Sequence, residues 1–121
     1  MLSISGQVKI FLGVEPVDMR KSFDTLAALV SEVLKADPLS GHLFVFRSRR
    51  ADRVKILYWL GDGFAIWYRR LERGTFRFPR AAPEQTSLTI SATDLAMLLD
   101  GVDLASVKRR PRYQRPARVA S

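Results

Sequence analysis

A chain of 121 residues with 47% hydrophobic and 10% aromatic content is sized for one packed domain and rich enough in apolar side chains to build its core. It contains no cysteine, which excludes disulfide frameworks, thiolate zinc sites and cysteine nucleophiles. Its net charge is +8, no apolar run approaches the roughly 20 residues of a membrane span, and MLSISGQVKIFLG lacks the features of a signal peptide, so a cytoplasmic protein with a polyanionic partner is the expectation.

In chain order, Val8, Ile10 and Leu12 alternate with Lys9 and Phe11, which predicts a strand over 8–12. Asp18 reads as an N-cap. Met19, Phe23, Leu26, Ala27, Val30, Val33 and Leu34 follow at three- and four-residue spacings, predicting a long amphipathic helix to about Lys35, which Asp37-Pro38 stops. From His42 to Phe78 the β-branched and aromatic runs LFVFR (43–47), RVKILYWL (53–60), FAIWYRRLE (64–72) and TFRF (75–78) are separated by glycine-containing turns, predicting an antiparallel meander. TSLTI (86–90) adds a possible last strand. Ser91 with Asp94 imitates a capping box before Leu95, Leu98 and Leu99, and Gly101 closes a short second helix. The expected fold is a single α+β domain over 1–104, a mostly antiparallel sheet of four to six strands packed against one long N-terminal helix, with a short C-terminal helix.

The 105–121 segment reads as a flexible basic tail. The first 103 residues carry 14 bases against 12 acids, and the remaining six bases, Lys108, Arg109, Arg110, Arg112, Arg115 and Arg118, follow Asp103, the last acid. A proline-interrupted block of this kind cannot fold alone, but it can bind a polyanion by releasing counterions.

A three-residue Gly61-Asp62-Gly63 hairpin loop would put Val54, Ile56, Tyr58, Leu60, Phe64, Ile66 and Tyr68 on a core face and Arg53, Lys55, Trp59, Trp67 and Arg69 on the other. Such a basic face with indole rings suits phosphates and stacked bases, and Arg47, Arg49 and Arg50 extend it. The alternative is a solvated charged face that discourages edge pairing. Arg20 and Lys21, placed in the first turn of the predicted helix, oppose its macrodipole, which points either to a bound phosphate or acidic partner or to a local salt bridge with Asp18 or Asp24.

Catalytic readings find little support. Metal-dependent strand chemistry needs carboxylates converging on metal ions, whereas Asp18, Asp37, Asp94 and Asp100 sit at predicted helix ends and Asp62 in a turn. His42 is the only histidine, no glycine-rich phosphate loop occurs, and no serine has an evident base partner, so neither a metal, a cofactor nor a nucleophile is expected.

The segments DMRKSFDTLAALV (18–30), DPLSGHLFVFRSRRADRVKILYWLGDGFAIWYRRLERGTFRFP (37–79) and SATDLAMLLDG (91–101) strongly resemble the TnpB accessory proteins of insertion-sequence-66 elements, over about residues 8 to 104. This TnpB shares only its name with the RNA-guided nuclease. The resemblance implies a helper in bacterial DNA transposition beside a separate transposase that cuts and joins the strands, and it carries over no catalytic residues. Two roles follow as expectations. One is a DNA-binding subunit using Arg47, Arg49, Arg50, Arg53, Lys55, Trp59, Trp67, Arg69 and the tail residues Lys108, Arg109, Arg110 and Arg112, with Arg20 and Lys21 on a phosphate or partner. The other is an adaptor that binds the transposase without touching DNA.

Overall fold

In the computed structural model, which describes residues 7–101, Leu43–Arg47 forms the middle strand of a sheet and has four successive buried residues. Continuous apolar runs of this sort mark strands covered on both faces. In chain order the elements are β1 (Ile10–Gly13), α1 (Phe23–Glu32), β2 (Leu43–Arg47), β3 (Arg53–Trp59), β4 (Phe64–Arg70), β5 (Ser87–Ile90) and α2 (Ala92–Leu99). The five strands lie in the order β4-β3-β2-β1-β5.

The sheet is mixed, which corrects the mostly antiparallel expectation. β1 runs parallel to β2, with Ile10 beside Leu43, while β2–β3, β3–β4 and β1–β5 are antiparallel. Parallel neighbours require a crossover of a dozen or more residues, and the α1 connection supplies it. β5 returns across the whole sheet to pair Ile90 with Ile10 and Ser87 with Gly13, so β1 becomes an interior strand.

The two helices cover opposite faces. Leu26 and Val30 of α1, four residues apart, pack with Phe44, Phe46 and Leu57. Leu95, Leu98 and Leu99 of α2 pack with Ile10, Leu12, Val45, Val54 and Ile56, and Phe76 closes that cluster. The α2 capping box is present as expected: Asp94 N–H donates to Ser91 Oγ at 3.0 Å and Ser91 N–H to the Asp94 carboxylate at 3.3 Å.

α1 has ten residues and starts late, which corrects the long helix expected from Asp18 to Lys35. Ser22 is the N-cap, and the preceding Met19 and Lys21 carbonyls turn inward to accept from Lys55 instead of entering helical bonds. At the other end Lys35 is left-handed (φ 56°) and Ala36 N–H reaches back to the Val30 carbonyl, a six-residue closure that ends the helix. The 75–78 segment, expected as a strand, is irregular; Phe76 is buried and its N–H donates to the Ala51 carbonyl at 2.7 Å.

The β3–β4 hairpin turns on two residues. Leu60 N–H donates to the Gly63 carbonyl at 2.9 Å, and Gly61 holds φ +97° at the first central position, as glycine-led tight hairpin loops require. Leu57 therefore faces Ile66, and Trp59 faces Phe64. This is one residue away from the three-residue register expected from the sequence.

Because Leu26 is fully buried between α1 and the sheet, Leu26→Ala should lower the unfolding free energy by about 2–5 kcal/mol. A urea midpoint shifted downward with the m-value unchanged is the expected readout.

Candidate nucleic-acid interface

The one-residue shift redistributes the expected site residues. Arg47, Val54 and Arg69 lie in one cross-strand row, with Ile56 opposite Trp67, on the α2 face. Arg53 opposes Arg70, Lys55 opposes Tyr68, and Trp59 opposes Phe64 on the α1 face. The two indoles thus sit on opposite sides of the sheet, and the single basic and aromatic face expected from the sequence is not formed. Trp59 meets Phe64 edge to face at 4.9 Å near the hairpin tip, while Trp67 packs against the α2-side core.

Lys55 points inward. Its Nζ donates to the Met19 and Lys21 carbonyls, both at 2.6 Å, and lies 4.9 Å from the Tyr68 ring centroid. Those two carbonyls replace the water that a buried ammonium would otherwise lose. The side chain consequently clamps the MRK segment onto β3.

Arg47 and Arg69 divide their guanidinium groups between the fold and its surface. Arg47 donates to the Val14 carbonyl at 3.0 Å and lies over Phe78, while Arg69 donates to the Leu99 carbonyl at 2.9 Å and lies over Phe76. The Arg69 contact places a cation at the C-terminal end of α2, where the helix dipole favours it. Arg49 and Arg50 are exposed in the β2–β3 turn. In that turn Ser48 Oγ donates to Asp52, and Arg53 N–H donates to Ser48 Oγ.

All of these arginines fall where β2 and β4 end and β3 begins. Arg70, Arg73, Arg77 and Arg80 join them, giving nine arginines from Arg47 to Arg80 at that end. The sequence reading missed all four. Five arginines between positions 69 and 80 stand against one acid, Glu72, so charge counting alone would have flagged the segment. Among the described residues two ion pairs form, Arg70 with Glu72 at 3.0 Å and Arg20 with Asp18 at 2.7 Å. Eight of the nine strand-end arginines therefore have no carboxylate partner among the described residues. Arg53 and Arg70 even face each other across the ladder, a like-charge pairing that sheets normally avoid.

Arg20 and Lys21 precede the Ser22 cap and so lie outside the first helical turn, which removes the macrodipole conflict expected from the sequence. Arg20 forks onto the Asp18 carboxylate, with Nε at 3.1 Å from both oxygens and a terminal nitrogen at 2.7 Å from Oδ2. These bonds, with the Arg20 N–H donating to Oδ1, hold the Asp18 carboxyl well below the usual carboxylate range and raise the Arg20 guanidinium. Lys21 is half-buried beside a small apolar groove between α1 and the 14–18 segment.

Several other acids are occupied locally: Asp37 accepts from Leu39 N–H, Asp52 from Ser48 Oγ and Asp94 from Ser91 N–H. No group of three His, Asp or Glu residues able to hold a metal occurs among the described residues. The His42 Nδ1 accepts from the Lys9 N–H at 3.0 Å and so aligns the start of β1 with β2. Among the described residues no helix is long and apolar enough to cross a membrane. The tail bases Lys108, Arg109, Arg110 and Arg112 lie outside the described residues.

The family described as IS66 Orf2-like protein matches residues 8–109. The uncharacterized protein y4jC of Sinorhizobium fredii is 38% identical over 120 residues, covering 99% of this chain and 100% of that protein. The uncharacterized protein y4hO of the same organism is 40% identical over 103 residues, covering 85% of this chain and 88% of that protein. No solved structure matches.

Two outcomes follow from this geometry. Lys55→Met should cost about 1–3 kcal/mol in urea unfolding, because it leaves the buried Met19 carbonyl and the part-buried Lys21 carbonyl without their donor while keeping the apolar stem; a cost near zero would show that the clamp is dispensable. For Asp18 the folded pKa lies below an unfolded value near 4. Its stabilising contribution is therefore complete above that value and disappears as pH falls through the folded one. The stability gap between wild type and Asp18→Asn should be constant from pH 7 to about 5 and close on further acidification, as read from urea midpoints at each pH.

Proposed function

The chain belongs to the IS66 Orf2-like family of insertion-sequence accessory proteins, and on that premise we propose that it binds DNA beside the element's transposase without catalysing strand chemistry itself. The observation that carries this reading is the group of strand-end arginines with no carboxylate partner among the described residues. Cations concentrated at one end of a sheet, two of them (Arg47 and Arg69) already held by main-chain and aromatic contacts, give a phosphate backbone fixed positions to replace its counterions. This is a surface for sequence-independent grip. The relevant group is Arg47, Arg49, Arg50, Arg53, Arg69, Arg73, Arg77 and Arg80, with the tail bases as a second contribution. Lys55, Trp59 and Trp67 act in the fold.

Fluorescence anisotropy with labelled duplex from an element end, across a salt series, tests the proposal. The double change Arg49→Gln with Arg50→Gln removes two exposed bases and should flatten the slope of log K against log salt by about 2. Binding that is indifferent to salt, or a slope unaltered by the double change, would remove this end of the sheet from the mechanism.

An adaptor reading draws on the opposite end of the molecule. There Leu60 is 64% exposed at the hairpin tip, next to the Trp59–Phe64 pair. Tryptophan is enriched at interface hot spots, and a partner docked on Trp59 would cover the exposed Leu60 beside it. Leu60→Ser should abolish co-purification with the transposase and spare DNA binding if this end docks the enzyme. Unchanged co-purification eliminates the tip as the docking site.

A further inference from the structure

A cleft of about 940 Å³ opens on the α2 side of the sheet, between the ends of β1, β2 and β5 and the 75–81 segment. Its volume lies within the roughly 300–1,000 Å³ of sites that enclose a small organic group. Arg47, Arg77 and Arg80 line it, and none of its thirteen lining residues is acidic. Leu12, Leu88 and Phe78 supply its apolar wall. One wall is preorganised, since Arg47 is bonded to the Val14 carbonyl and lies 5.7 Å from the Phe78 ring centroid, and Phe78 in turn meets Phe76 edge to face at 6.2 Å.

We infer that this cleft takes one unpaired nucleotide of a DNA strand, with the base against Phe78 and the Arg47 plane and the flanking phosphates on Arg77 and Arg80. The inference rests on the DNA-binding reading above and specifies what one part of that surface holds. Three features select a nucleotide. The cavity combines an apolar ring-bearing wall with cations at its rim, which matches a base joined to phosphates. An aromatic ring with a guanidinium laid over it is a stacking platform that works for any base. Finally, Ala51 lines the cleft and directly follows the exposed Arg49 and Arg50. The exposed arginines of that turn are therefore adjacent in sequence to the cavity wall.

Ala51 itself is held left-handed at φ 59°, its N–H donating to the Ser48 carbonyl and its carbonyl accepting from Phe76 N–H. That bond ties the turn to the 75–81 wall. A base within a duplex is stacked and paired and cannot enter such a cavity without being extruded. The cleft thus favours single-stranded or locally melted DNA.

The test compares labelled hexathymidylate, the same backbone made abasic at every position, a closed hairpin duplex whose affinity is taken per phosphate, and hexaglutamate peptide, all with the full chain. Hexathymidylate should bind more tightly per phosphate than the duplex, and removal of the bases should weaken it about fivefold or more. The double change Arg77→Gln with Arg80→Gln, and separately Phe78→Leu, should erase the single-strand preference, whereas Arg49→Gln with Arg50→Gln should weaken single-strand and duplex binding alike. Circular dichroism melting accompanies each variant, and the abasic comparison needs no variant at all. Equal affinity for the intact and abasic oligomers, with salt-dependent binding retained, overturns the nucleotide site and leaves DNA binding standing. Tighter capture of hexaglutamate than of hexathymidylate makes the cleft a peptide site and overturns it as well. No salt-dependent binding to any DNA defeats both readings.

Discussion

An ionised side chain buried without a partner is costly, and a sheet covered by a helix on each face offers it almost nowhere to stand. This constraint explains where the cations of the protein lie. β3 is hydrogen-bonded on both edges and covered on both faces, so the one charge in its middle, Lys55, is tolerated only because two carbonyls from the segment before α1 meet it. The other bases of β2, β3 and β4 occur at the strand ends, where guanidinium groups escape the helices. The basic surface is therefore an end of the sheet, not a face of it.

The same constraint links folding to function. Arg47 and Arg69 each give a hydrogen bond to the main chain of a neighbouring element and lie over a phenylalanine of the 75–81 segment. Their stems and planes help hold that segment against the sheet while part of each guanidinium remains toward the surface. The segment has no strand pairing of its own and depends on such contacts and on the Phe76–Ala51 bond. In this way the side chains that shape the cleft are also among those that charge it. The edge strand β4 benefits too, because charged residues at its exposed end discourage pairing with another chain.

Much of the local structure was legible without coordinates. The unbroken apolar LFVFR and the aromatic-rich strands after it announced β2, β3 and β4, and Ser91 with Asp94 announced the α2 cap, because these signals depend on near neighbours. The hairpin register differs from the expectation. A three-residue loop gathers the bases on one face, which assumes one solvent face, whereas both faces are covered and the arginines concerned lie at strand ends. The long N-terminal helix was overextended because periodicity through Met19 could not reveal that a lysine 36 residues later needs the carbonyls of that turn.

By itself, then, the sequence established family membership, both helices and five of the six strands expected of it, and a surplus of arginine around positions 47 to 80, all of which are properties of adjacent residues or of composition. Tertiary structure alone decided that β1 lies parallel to β2, that β5 crosses to reach β1, and that Arg77 and Arg80 share a cavity with Arg47. Those relations join residues 30 or more positions apart, and they arise from burying two apolar faces at once, an outcome that no local pattern encodes.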